Sequence, residues 1–398
     1  MTDGASIGID LTGGYFDSVG YIKFGFPMAA TITNLAWGML EFKKGYIKAG
    51  QFEYGLKAIR WGNEYFFKAH PSRNRFIGQV GSNEIEQSYW GRPEDMTLKR
   101  PVYQIDEKNP GSDLAAETAA SLAASFLLFR DEGDLMHALD CLVHARKLYK
   151  FAMENRGLYN DAIPDVKYFY KSSSYRDELA LASLWLYRAT GESTYKDNFL
   201  REFDNQAISE NPGQFTWDNK WYAVQILARQ LNITPKNYLS NFKVFLKQPK
   251  KTPKGLFFVQ KYGSLRHAAN LAFLAQVAAT IEIENKSFYN SFSVSQINYI
   301  LGDGGRSYVV GFGNNPPQRP FHQSSSCPSN GTCGIQQRMT NDPNPHILYG
   351  ALVGGPDHKD QFTDNRNDYI KNEVACDFNA GFQSAVAGLI QLQHGEEC

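Results

Sequence analysis

The sequence predicts an all-α fold in which helical hairpins follow one another as an α/α toroid. Three observations predict it. Apolar residues recur at helical period along almost the whole chain. Strand-like runs are sparse and short, Gly255-Leu256-Phe257-Phe258-Val259 being an example. Long irregular segments separate alternate pairs of helical stretches, as they do where the loops at one end of a toroid build a groove.

The first helix is expected over 27–44, with Pro27 in its first turn and Ile32, Leu35, Ala36, Met39 and Leu40 on one face. A second amphipathic stretch covers about 50–70 and is ended by His70-Pro71. Residues 71–111 read as a long irregular segment containing Ser88-Tyr89-Trp90-Gly91-Arg92-Pro93-Glu94-Asp95, and loops of that length usually carry function. Ser112 and Asp113 open an Ala-rich helix at 112–131, whose small side chains let neighbouring helices approach closely. Further helices are expected at 133–156, 175–190, 193–206, 217–231, 236–247, 263–282, 286–302 and 373–394, about eleven in all.

Composition bounds the function. The chain is 42% hydrophobic and 14% aromatic, enough for a sizeable core, and nothing divides its 398 residues into separate domains. Lys+Arg and Asp+Glu balance at 41 each, which argues against nucleic acid or an anionic membrane as partner. There is no apolar run long enough to span a bilayer, and Met1-Thr2-Asp3-Gly4 opens polar, without the look of a signal peptide. Cys327 and Cys333 flank a turn-rich loop that a disulfide could close. Sequons begin at Asn232, Asn285 and Asn330 and are compatible with secretion.

The chemistry centres on Gly13-Gly14-Tyr15-Phe16-Asp17-Ser18-Val19-Gly20-Tyr21-Ile22-Lys23-Phe24-Gly25-Phe26-Pro27, a glycine-rich aromatic loop with one acid. Glycines beside large rings let the backbone lie close to something flat, such as a sugar. A second cluster is Asn372-Glu373-Val374-Ala375-Cys376-Asp377-Phe378-Asn379-Ala380-Gly381-Phe382. The first stretch resembles the catalytic loop of glycoside hydrolase family 9, the inverting β-1,4-glucanases, whose pattern is G-G-[WY]-[YF]-D-A-G-D-[HY]-[VI]-K-F-G-[FL]-P. The second resembles that family's N-E-V-A-x-D-Y-N-A-G-F. The resemblance covers residues 1–398 as one catalytic-type domain. It implies an (α/α)6 barrel whose usual first helix lies upstream of this chain, a β-1,4-glucan or related oligosaccharide as partner, a monomer, and an extracellular location.

Inverting glycosidases need a carboxylic acid to protonate the leaving oxygen and an opposed carboxylate to activate water, roughly 6.5–9.5 Å apart. The resemblance implies that Glu373 is the proton donor and Asp17 the water-holding carboxylate. A solvated Glu at a helix N-terminus is the plainer reading of Glu373. Gly20 stands where the family has its second Asp, the base, so hydrolysis is expected to be strongly reduced or lost. A non-catalytic glucan-binding protein is the alternative. An acidic side chain brought by the fold into the space at Gly20 would overturn the expectation of a lost base.

Other groove positions also depart from the family. Gln87 stands for a sugar-contacting His, Phe321 and Gln323 for an imidazole and a guanidinium of R-P-H-H-R, and Phe378 for the Tyr beside the donor. Ser172-Ser173-Ser174-Tyr175 lacks the aromatic and the Gly of the family's S-[WY]-x-G-[YF] loop. Tyr15, Trp90, Trp217 and Tyr262 are candidate platforms for sugar rings, and Arg266 and His322 candidate donors to hydroxyls, although each aromatic has a core-packing alternative. The resemblance also implies a structural Ca²⁺ held by Ser174, Asp177, Glu178 and Asp218, hard oxygen donors suited to that ion. Capping of the helix at 175–190 by Asp177 and Glu178 is the alternative reading. No organic cofactor is expected.

Overall fold

The computed structural model describes residues 3–202, 212–234 and 238–394. Its main helices are α1 (Gly25–Glu41), α2 (Lys43–Lys48), α3 (Phe52–Ala69), α4 (Ser112–Asp131), α5 (Leu135–Glu154), α6 (Arg176–Thr190), α7 (Ser193–Glu202), α8 (Trp221–Gln230), α9 (Tyr238–Leu246), α10 (Ser264–Ile281), α11 (Lys286–Asn298) and α12 (Cys376–His394).

Six of them close an inner ring. Each of α1, α4, α6, α8, α10 and α12 packs on the next, and α12 packs back on α1. Inner helices must bury every face, and their sequences allow it. In α4 the alanines 115, 116, 119, 120, 123 and 124 are all fully buried, so adjacent backbones come close. Trp37 of α1 meets Trp185 of α6 and Phe273 of α10 edge-on at 5.6 and 5.5 Å, tying three sides of the ring together. Helices α3, α5, α7, α9 and α11 form an outer layer. There one stripe suffices: Ile59 and Phe66 of α3 are buried while Tyr54 and Trp61 face solvent. The short α2 packs on both α12 and α1, and beside them runs a groove of about 1050 Å³ bordered by Leu35, Tyr54, Phe382, Val386 and Ile390.

Several expectations are corrected. Residues 71–111 are not merely irregular: β2 (Arg75–Val80) and β3 (Val102–Asp106) join β1 (Lys23–Phe24) in an antiparallel sheet, order β1-β2-β3. These strands are two to six residues long and pair across the sequence, so local periodicity does not reveal them. The strand-like run 255–259 makes only an isolated bridge, Phe257 to Lys251. The helix expected from 373 begins at Cys376, leaving Glu373 in extended backbone (φ −63°, ψ 146°) rather than at a helix N-terminus. The helix expected at 217–231 starts at Trp221. The one expected to run to 302 ends at Asn298, followed by a turn broken at Gly302, where φ is 146°. Residues 203–206 and 236–237 of two expected helices lie outside the described residues.

The sheet positions the site. Lys23 pairs with Val80, so the loop preceding β1 and the turn following β2 emerge side by side. Gly20 lies on the first and Glu86 on the second.

Candidate active site

Four segments meet around Glu373. The loop 13–22 supplies Asp17 and Ser18, and Arg319–Gln323 runs beside Asn372–Glu373 through a Phe321–Glu373 bridge. Gln323 N–H then donates to Val19 carbonyl at 3.2 Å, fastening that segment to the loop. The turn Asn83–Glu86 closes the far side, held by Asn83 N–H donating to Asp165 at 3.1 Å.

The Glu373 carboxyl is 9% exposed and accepts hydrogen bonds from Ser18 and Tyr262 hydroxyls, one on each oxygen. Burial pushes its pKa up and the two hydroxyls pull it down, leaving it above the usual carboxylate range. Asp17 is buried and accepts from the Tyr170 hydroxyl. Burial lifts it to about 8, with Asp377 and Glu373 adding to the rise and the Tyr170 hydroxyl and Arg266 opposing it. At neutral pH Asp17 therefore keeps its proton. Arg266 is bound to Asp377 at 2.7 Å, and its guanidinium lies over the rings of Tyr262 and Phe378.

At Gly20 the backbone is outside the left-handed region, and a Cβ placed there would meet Glu86 Oε2 at 3.6 Å and Gln323 Nε2 at 3.9 Å. A carboxylate thus borders the space where the loop lacks one. Glu86 Oε2 also accepts the Tyr21 N–H at 3.0 Å, and Glu86 Oε1 pairs with Arg100. Arg100 in turn binds Asp3 at 2.9 Å, and Asp3 binds Lys23 at 2.8 Å. All four side chains are buried, two cations alternating with two anions.

A model of glycosyl hydrolase family 9 matches residues 1–386. The chain belongs to that family. It is 41% identical over 418 residues to Endoglucanase A of Bacillus pumilus and 41% identical over 415 residues to Endoglucanase B of Cellulomonas fimi, covering 98% and 99% of this chain. It spans only 61% and 39% of the length of those two proteins. Among solved structures, the endoglucanase of the termite Nasutitermes takasagoensis superposes with a TM-score of 0.94 at 49% identity, over 97% of this chain and 90% of that one. Cel9M of C. cellulolyticum in complex with cellobiose gives 0.91 at 32% identity, over 99% and 91%. The closed ring described above is accordingly the (α/α)6 barrel of family 9.

Within this family 9 chain the residues singled out from sequence lie at different depths around the cleft. Asp17, Gly20, Glu373, Tyr262 and Gln323 gather at the cleft, Tyr262 being 37% exposed. Trp217 is half-buried, edge-on to Tyr170 at 5.0 Å, and so stands behind Asp17. Arg266, Phe378 and Trp90 are buried: Arg266 is engaged by Asp377, and Trp90 lies against Phe321 and donates to Ser326 at 3.0 Å. His322 accepts the Ser325 N–H through Nδ1, capping a short turn, and burial lowers it to about 4, so it is neutral. Gln87 is exposed and bonds the Glu84 carbonyl, while Tyr15 donates to the Ala58 carbonyl. Cys327 and Cys333 are disulfide-bonded, and Arg92 holds the carbonyls of Pro328 and Gly331 in that loop at 2.7 Å each.

Sequence reading passed over Glu86, Ser18 and Tyr170. For Glu86 a signal existed, since an acid stands immediately before Gln87, itself one of the altered groove positions. For Tyr170, 153 residues from Asp17, none did.

At the expected calcium position, Asp177 and Glu178 occupy the first turn of α6, fully buried. Asp177 Oδ1 and both Glu178 oxygens lack a partner, and burial drives Asp177 up to about 6 and Glu178 well above its usual value. Orphaned buried carboxylate oxygens suit a hard cation. Asp218, however, is occupied by the N–H and hydroxyl of Ser173, and Ser174 Oγ accepts the Arg176 N–H. Among the described residues no three His, Cys, Asp or Glu side chains are grouped to hold a metal ion.

Proposed function

We propose that this chain binds β-1,4-glucan in the cleft at Glu373 and hydrolyses it with inversion, at a rate reduced because Gly20 stands at the base position and leaves only Glu86, from a neighbouring turn, beside that space. The observation that carries this reading is the pairing of a buried Glu373, whose pKa burial raises, with a loop that presents glycine at position 20. Glu373 delivers its proton to the glycosidic oxygen as the bond to C1 breaks. Tyr262 and Ser18 hold the carboxyl in place and stabilise the carboxylate left behind. The cellobiose complex of Cel9M and the cellotriose complex of CelQ from Clostridium thermocellum, 31% identical to this chain, support the ligand class.

A non-catalytic glucan-binding role is the second reading. It is favoured by the two hydroxyls donating to Glu373, which hold it in the form that has already lost its proton. Calorimetry with cellotetraose and product analysis by chromatography separate the cases. Heat with slow release of shorter oligosaccharides supports the first reading, and heat without cleavage the second. No heat at millimolar ligand removes both.

Two further features belong to the proposal. Calcium at Asp177 and Glu178 would neutralise their buried charge, with backbone and water oxygens completing its shell. Secretion, as a monomer, fits the Cys327–Cys333 bridge, since such bonds persist in oxidising compartments. Among the described residues no helix is long and apolar enough to cross a membrane.

A further inference from the structure

We propose that Glu86 is the general base of this chain, taking the proton from an attacking water seated in the space beside Gly20. The inference rests on the hydrolytic reading above and names the group that completes it.

Two independent observations converge on that space. Glu86 Oε2 lies 3.6 Å from the position of a Gly20 Cβ, and no side chain intervenes. Gln323 Nε2 lies 3.9 Å from the same point and donates to the Tyr89 carbonyl at 3.1 Å, which fixes the amide's orientation. Gln323 Oε1 then has no partner, although the residue is 7% exposed. The gap beside a residue without a side chain is thus bordered by a carboxylate oxygen that accepts and an amide N–H that donates. Water fits both, donating to Glu86 Oε2 and accepting from Gln323 Nε2. Gly20 itself is half-buried, so water reaches the gap.

A Glu carboxylate reaches about 1.5 Å further along its side chain than an Asp carboxylate. The remaining surroundings keep it ionisable and fixed. Arg100 holds Oε1, Tyr21 N–H holds Oε2, and Asp3 with Lys23 completes the buried row, while the Tyr21 phenol and the neutral Gln323 face it from the loop and the 319–323 segment. Burial raises Glu86 to about 7, Arg100 opposing and Asp3 adding, which places its titration where a base serves near neutral pH.

The step balances without any further reagent. The water oxygen bonds to C1, its proton passes to Glu86, the bond from C1 to the glycosidic oxygen breaks, and the Glu373 proton goes to that oxygen, which departs as a hydroxyl. Both carboxyl groups then exchange protons with solvent.

The test compares Glu86→Gln in two backgrounds, the natural Gly20 and Gly20→Asp, with kcat/KM measured on cellotetraose. Glu86→Gln still accepts the Tyr21 N–H but cannot take a proton. On Gly20 it is expected to lower kcat/KM at least thirtyfold, within the ~10²–10⁴ typical of base assistance. On Gly20→Asp the loss is expected to be at least tenfold smaller, because another carboxylate does the work. The rising limb of the natural chain's pH profile is expected near 7 and to disappear in Glu86→Gln. Glu86→Asp, which keeps a negative charge beside Arg100 but withdraws it from the gap, should lower the rate without loss of thermal stability. Equal losses in both backgrounds, or a rising limb unmoved by the substitution, overturn the proposal and leave Glu86 a structural ion pair. If the natural chain releases no product while Gly20→Asp does, Glu86 is not a base, yet the glucan-cleft reading stands. If neither variant cleaves or binds cellotetraose, both fall.

Discussion

Gly20→Asp is the most informative single change. Its backbone is outside the left-handed region and the nearest atoms to a new Cβ are at 3.6 and 3.9 Å, ordinary contact distances, so the side chain enters without strain. The cost is electrostatic. Two carboxylates about 5 Å apart at an effective dielectric of about 20 repel by about 3 kcal/mol. Glu86 escapes that penalty by keeping its proton, which its pKa of about 7 already favours at pH 6. The net loss of stability there should stay under about 1 kcal/mol. The gain is a base in the family's own position. General-base assistance is worth ~10²–10⁴ in rate, or about 2.7–5.4 kcal/mol of barrier. Because Glu86 supplies part of that in the natural chain, the lower figure, about a hundredfold in kcat, is expected. Reducing-sugar release from carboxymethyl-cellulose at pH 6 measures it. A Gly20→Asp turnover within about threefold of the natural chain would refute the claim that the missing Asp limits the rate.

Three other outcomes follow from the same geometry. Tyr262→Phe removes a hydroxyl that favours the Glu373 carboxylate, so Glu373 should hold its proton to higher pH and the falling limb of the pH–rate profile should move alkaline by about one unit; an unmoved limb counts against the assigned hydrogen bond. Asp17, Glu86 and Asp113 have folded-state values of about 8, 7 and 7, above their unfolded ones, so the folded chain binds more protons between about pH 4 and 8. Their stabilisation is complete below the unfolded values and is lost as pH rises through the folded ones; urea midpoints measured with chelator should therefore fall from pH 5.5 to 8, and Asp17→Asn should flatten the slope. Calcium should raise the melting temperature and a chelator reverse it, with Asp177→Asn removing the response; a chelator without effect on the natural chain would eliminate the proposed ion.

The helical repeat was legible because it is local. Ala-rich α4 and amphipathic α3 announce their period and their buried faces within some twenty residues. Glu373 and Asp17 stand out in the sequence as members of dense motifs, and the fold brings both to one cleft with Tyr262 and Ser18. The strands were not legible, since Lys23 and Val80 pair across 57 residues and each strand is too short to show alternation. The start of α12 was missed for a related reason: Val374 and Ala375 extend an apolar pattern that tertiary contacts hold in extended form.

What the chain determined by itself is the composition of its inner and outer helices and the presence of glycine at position 20. No reading of residues in order places Glu86 there, because it lies 66 positions away on a separate turn. Only the register of β1 on β2 and the buried row from Lys23 through Asp3 and Arg100 bring that carboxylate to the gap. Side-chain identity is written locally, but the distance between two acids is set by everything packed between them.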